Sequence, residues 1–295
     1  MIVNDYVNIQ DDRLVNGLPP VIKMMSAINA SDDSTIVLDF SKTQFISPVF
    51  ALSLLVYLHS CGKEIQILNQ IPYMQTIFFA EGFRPDTIRR TEFLAMMEKY
   101  SRKTYIPIVN FPASDSTDDT EYILSTVESL IIRQLNIDNN VAWGLKYIIS
   151  EMISNIAEHS ESSRGYIFAQ SYPKKGYLDI CIADTGITLL KSYMKLPHNE
   201  IASDLEAIQA ANRGISSKNF PDAENRGYGI YTTKKMIVEG LQGQYLMISG
   251  SALYMKNETI DNFFRMPLTL RWNGTIIALR IPYQKYDFNY RNYLE

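Results

Sequence analysis

The sequence predicts an α/β (α+β) protein of two domains, and three observations carry that expectation. Residues 35–68 read as strand, helix, strand within about 35 residues. Beyond residue 100, two long helical stretches precede a series of apolar strands and a glycine-marked helix. The chain has 295 residues, 46% apolar and 20% charged. That is a globular composition, and the length exceeds one ordinary core on the usual prior of roughly 100–200 residues per domain. The expected division is 1–100 and 101–295.

In the front part, TIVLDF (35–40) is β-branched and apolar up to Asp39, as a buried strand should be. Ser47 and Pro48 offer an N-cap and a first-turn proline for a helix from Val49 to Ser60, stopped at Gly62. A strand follows at Glu64–Leu68, so the unit predicts parallel pairing. Further helical stretches read at Pro72–Ala80 and near Thr91–Tyr100. SRKTYIPIVNFP is extended and ASDSTDDT is polar, which places the boundary nearby. IPIVNF (106–111) also reads as the first strand of the second part.

The second part opens with helices over about 118–135 and 138–159, with Asp138 and Asn139 as caps. Strands follow at Gly165–Gln170 and Tyr177–Ala183. Thr185 to Arg226 is irregular apart from SDLEAIQAAN (203–212), and so long an irregular stretch is usually functional. A helix at Tyr228–Glu239 precedes strands at 244–249 and Gly274–Ile281. The tail YQKYDFNYRNYLE carries five aromatics and is expected to pack on its own domain, with docking to a partner as the other reading.

Composition excludes several classes. Net charge is −4 with no basic block, which sets nucleic acid aside as a partner of the whole chain. Cys61 and Cys181 sit in apolar contexts without metal-site spacing. The start MIVNDYVNIQDDR lacks a signal-peptide pattern, and the longest apolar run, Val49 to Leu58, is too short to span a bilayer. The expectation is a cytoplasmic protein without membrane association.

Four weak signals carry chemistry. In EMISNIAEHS, Glu151, Asn155, Glu158 and His159 fall near one helix face, polar where its surroundings are Ile, Met and Ala. A solvent-exposed stripe explains such a face equally well. In CIADTGITL, a strand runs into Asp184 and Gly186, a turn former or a hydrogen-bond acceptor. Gly227 and Gly229 precede a helix whose apolar side begins at Ile230, and such a turn can hold phosphate on backbone N–H groups. Gly274-Thr275 opens the last apolar strand.

Together, in this order, these segments resemble the GHKL ATPases, the superfamily of DNA gyrase, histidine kinases and mismatch-repair ATPases. E151-M-I-S-N155 resembles the N box. D184-T-G186-I-T188 resembles the first glycine box, with Thr188 in place of its second glycine. G227-Y-G229-I230 resembles the second glycine box, and G274-T275 the late Gly-Thr. R213-G-I-S-S-K218 resembles the ATP lid, which would span about 187–226. The likeness covers about 105–282. It implies a Bergerat fold, a helical layer on one face of a mixed sheet, binding ATP and Mg²⁺. Asn155 would ligate the metal. Asp184 would accept the adenine amino group, with Gly186 against the base and Thr275 supporting that end. Gly227, Gly229 and Ile230 would form the phosphate end, with Lys218 or Arg213 reaching the γ-phosphate. Glu151 would be the general base of slow hydrolysis or of serine/threonine phosphorylation.

Residues 5–95 resemble a STAS domain, as in anti-sigma factor antagonists. Where that family carries a phosphoserine, this chain reads S47-P48-V49-F50, and Ser47 reads better as a helix cap. The resemblance implies a docking or regulatory module not switched at that site and a protein partner of STAS or sigma-pathway kind; a homodimer is a prior for the GHKL family. No dimerisation helix carries a phosphoacceptor histidine, which argues against an ordinary histidine kinase and leaves an atypical one. A non-catalytic nucleotide-gated module is the alternative of another class.

Overall fold

The computed structural model describes residues 2–4, 13–79, 81–113, 118–135, 139–217, 228–283 and 288–294. The first part comprises strand β1 (Ile2–Asn4), helix α1 (Leu18–Asn29), β2 (Thr35–Asp39), α2 (Pro48–Ser60), β3 (Glu64–Leu68), α3 (Pro72–Thr76) and α4 (Arg90–Tyr100). β1, β2 and β3 form a small parallel sheet in that order. Next come β4 (Val109–Pro112), α5 (Asp118–Leu135), α6 (Asn139–His159), β5 (Arg164–Tyr172) and β6 (Tyr177–Asp184). The chain continues through α7 (Leu189–Tyr193), α8 (Asp204–Asn212) and α9 (Tyr228–Lys235), the last extended by a π-helical turn, Met236–Gly240. β7 (Gln244–Gly250), β8 (Ala252–Lys256), β9 (Asp261–Arg265) and β10 (Trp272–Pro282) complete it. The large sheet has the order β4-β5-β6-β10-β7-β8-β9.

The strand pairings of the large sheet are antiparallel, with one parallel bridge from Phe83 to Val109 at its β4 edge. This corrects the expected mixed sheet. Short returns such as Tyr172–Tyr177, closed by Gly176 N–H to Tyr172 O, can only reverse the chain.

The helices α5, α6 and α9 of the second part share one face of this sheet, and the front part covers the other. α2 is apolar around its whole circumference and buried from Pro48 to Tyr57, the pattern of a helix enclosed on every side. Ile36 and Leu38 of the small sheet are fully buried, and Ile65 and Ile67 share a groove with Leu58 and His59 of α2. Its far side meets the large sheet. The Trp272 indole donates to Ser53 O (2.8 Å), and His59 Nε2 lies 3.3 Å from the Tyr166 hydroxyl. On the opposite face of that sheet, Ile182 and Ile277 are register neighbours and meet Met152 and Ile156 of α6. The order of layers is therefore small sheet, α1 and α2, large sheet, then α5, α6 and α9. Covered on both faces, β6 is buried along its entire length.

One apolar core runs across residue 100, the expected boundary. β4 leaves the front layer and pairs with β5. A buried ion pair lies on the face toward the front layer, with Arg280 Nε and Nη2 donating to Asp179 (2.7 and 2.8 Å) and the guanidinium stacked 3.8 Å from the Tyr177 ring. Arg164 reaches both oxygens of Asp86 at 2.9 Å, tying the loop after α3 to β5. Ser47 Oγ accepts the Phe50 N–H (3.3 Å), the cap read from the sequence. In the tail, Phe288 is buried against Gly144 and Gly240, so its described part packs on its own chain. No helix among the described residues is long and apolar enough to cross a membrane.

Candidate functional site

Between α6 and the large sheet lies a partly enclosed, mainly apolar cleft. Its floor is Ile182 of β6 and Ile277 of β10. Met152, Asn155, Ile156 and His159 form one wall, and Ile187, Tyr193, Ile215 and Ile230 close it. The 3.6-residue period of α6 brings Asn155 and His159 to this wall together with Met152 and Ile156. Glu158 turns out to solvent, so only part of the polar stripe faces the cleft.

Asp184 ends β6 at one end of the cleft and is 2% exposed. Its Oδ1 accepts the Gly186 N–H (2.9 Å) and its Oδ2 the Thr275 N–H (3.1 Å). Burial raises its pKa to about 7, against the opposing pull of those two backbone donors. The second donor exists because β10 is irregular there. Its register against β7 shifts between Trp272 and Thr275, and Gly274 takes φ +77°. A Cβ on Gly274 would stand 2.3 Å from Asp184 O, and one on Gly186 would stand 1.9 Å from Ser160 O. Both glycines are thus required by close backbone approach. Ser249 Oγ braces the corner, donating to Gly274 O (3.0 Å) and accepting the Leu189 N–H (3.0 Å).

Glu151 lies outside the cleft wall, against the first turn of α9. A Cβ on Gly229 would stand 2.2 Å from Glu151 Oε2 and 3.5 Å from Asn155 Nδ2. Glu151, Asn155 and Gly229 therefore converge where α9 begins. Asn155 Nδ2 is buried without a partner among the described residues. Gly227, Lys218, Arg226 and Asp138 lie outside the described residues. Arg213 is exposed at the end of α8.

The described part of the expected lid, 187–217, carries two helices, α7 and α8, joined and flanked by turns. Thr188, standing where the family pattern has glycine, is the N-cap of α7, its Oγ1 accepting the Lys191 N–H (3.4 Å). Ser203 and Glu206 form a capping box on α8. Asp204 accepts from Ser251 N–H (2.9 Å) and Oγ (3.0 Å), fixing α8 to the sheet. The segment closes over the cleft by two contacts the sequence did not announce. Tyr193 OH donates to Ile215 O (2.5 Å), and Ser217 Oγ accepts from Ser192 Oγ (3.1 Å) beside His159 Nδ1 (3.0 Å). Burial holds the His159 pKa below its usual value. The wall residues of α6 could have been found from their spacing. Tyr193, Ser192 and Ser217 carry no such signal.

No protein-family model, no curated protein and no solved structure matches this chain.

Proposed function

We propose that the cleft binds ATP with Mg²⁺ and that the chain is a cytoplasmic regulatory protein of GHKL type, a Bergerat-fold unit joined to a STAS-like front layer. The observation that carries this reading is Asp184, a buried acceptor fixed by two backbone donors at the end of an apolar cleft. Such a carboxylate suits an amino group on a flat apolar ring. Isoleucines above and below the ring would supply most of its burial. Asn155, Gly229 and the α9 N-terminus stand along the same cleft, where a helix start favours phosphate.

The residues fit the metal. Among the described residues no group of three or more His, Cys, Asp and Glu could hold an ion by itself. Mg²⁺ needs few protein ligands when phosphates and water supply the rest. The Asn155 amide has one terminus without a partner, and an amide turned about its last bond presents its oxygen there. The ion would neutralise charge on the phosphates. Glu151, beside Gly229, would take the proton from an attacking water or from a serine or threonine hydroxyl of a partner protein. Ser47 is not that acceptor, because it is buried and committed to its cap.

The contacts of Ser217 and Ile215 across the cleft favour one other reading, a nucleotide-gated module in which ligand entry moves this segment. Replacing Glu151 with Ala separates the two. An enzyme loses turnover of labelled ATP and keeps ATP binding. Turnover surviving in the variant would remove Glu151 from the role of base.

A further inference from the structure

We propose that two copies of this chain associate through β9, pairing antiparallel about a two-fold axis at Phe263 and joining their large sheets edge to edge. At the β4 edge, the backbone is already taken up by Phe83, whose N–H donates to Ile108 O (2.7 Å) and whose C=O accepts from Asn110 (2.8 Å). Among the described residues, β9 ends the other edge. Asn257 N–H bonds Ile260 O, and Met266 N–H bonds Ser251 O. With the β8 register, these bonds direct Asn262 and Phe264 toward β8. Alternation then turns the N–H and C=O of Asp261, Phe263 and Arg265 away from the sheet.

The strand reads DNFFR, and it is self-complementary. An axis at Phe263 sets Asp261 opposite Arg265 of the second copy, twice by symmetry. All three outward residues then form hydrogen-bonded pairs, about six backbone bonds in all. Sliding the axis to Asp261 or Arg265 would oppose like charges, and sliding it to Asn262 or Phe264 would lose a pair. Pro267, which has no N–H, stops the ladder beyond Arg265. Asp261 already accepts from Lys256 Nζ (2.7 Å) and Tyr254 OH (2.9 Å), which places it rigidly and leaves lone pairs for a guanidinium. The hydrogen bond from Lys256 holds its pKa below the usual carboxylate value, so it is charged at neutral pH. On the other face, Phe264 is 42% exposed and would lie diagonal to its symmetry mate, within reach of aromatic contact.

The test is sedimentation velocity of the full chain. The wild type is expected to dimerise by about 100 µM, a ceiling suited to a small, micromolar interface. Arg265→Glu puts two carboxylates opposite each other and should weaken association about tenfold. Asp261→Lys does the same with two cations, and mixing the two variants should restore a dimer. Monomeric wild type, or an Arg265→Glu variant that dimerises undiminished, overturns the proposal. Should Asp261→Lys fail to fold, Phe263→Cys on a Cys61→Ser background reads the register instead. Hydrogen-bonded partners stand about 5.5 Å apart, within disulfide reach. Oxidation should link that variant and leave a cysteine at position 261 unlinked. The reverse pattern excludes this register.

Discussion

Replacing Gly274 with Ala tests the corner on which Asp184 depends. Two costs arise. The φ of +77° lies in the left-handed region, where a Cβ costs about 1–2 kcal/mol. The Cβ would also stand 2.3 Å from Asp184 O and 2.5 Å from its Oδ1. A backbone carbonyl cannot swing aside as a long side chain can, and forced repacking of this kind costs about 1–3 kcal/mol. The sum is about 2–5 kcal/mol, a large share of the roughly 5–15 kcal/mol that holds most domains folded. Gly176 supplies the control. Its φ is +78°, and a Cβ there meets nothing within 4 Å. Gly176→Ala should therefore incur the backbone cost alone. Urea denaturation of both variants, at unchanged m value, isolates the steric part as the difference of about 1–3 kcal/mol. Equal destabilisation of the two variants would refute the packing of Gly274 against Asp184. The same substitution displaces Asp184, so under the proposed function ATP affinity should fall as well.

Two further outcomes follow from buried groups. Trp272→Phe removes the indole bond to Ser53 O and leaves unfilled volume between the layers, so it should cost about 2–4 kcal/mol and still give one unfolding transition, because one core spans both parts. Separate transitions in denaturant would contradict that core. Asp184 adds a pH dependence. Its folded pKa is about 7 against an ordinary value of 3.8, so the folded state holds the proton more tightly. Stability from this group is complete at low pH and is lost as pH rises from 3.8 through about 7, at up to about 1.4 kcal/mol per unit. Glu128, also raised to about 7 by burial with Lys146 opposing, changes in the same direction. Asp86, lowered to about 2 chiefly by its hydrogen bond from Arg164, changes below this window. Urea midpoints from pH 4 to 7 should fall more steeply in the wild type than in Asp184→Asn, and equal slopes would remove Asp184 as the source.

Local signals in the sequence located most elements, because caps, glycines and apolar runs act within a few residues. Ser47-Pro48 placed the start of α2. What α2 covers was not legible, since Trp272 lies more than two hundred residues away. α1 was overlooked although Leu18, Val21, Met25 and Ile28 stand at helical spacing around a first-turn Pro19-Pro20. Within 185–217 the helix at 203–212 was legible and α7 was not. Thr188 was read as a missing glycine, and it is a cap. The set of Glu151, Asn155, Asp184, Gly186, Gly229, Ile230 and Thr275 was readable as motifs. The cleft brings Asn155, Asp184, Ile230 and Thr275 together, with Gly186 and Gly229 at its turns. The bulge that carries Thr275 N–H to Asp184 could not be read, because it depends on the pairing of β10 with β7.

The central claim is that this cleft is a nucleotide site with Asp184 as its base-reading group. Titration calorimetry with ATP and magnesium, on the wild type and on Asp184→Asn, tests it most directly. A nucleotide site of this kind requires micromolar binding by the wild type and loss of that binding in the variant, whose amide places a donor where the amino group needs an acceptor. Equal binding by both proteins, or no binding by a folded wild type at millimolar ATP, would contradict it.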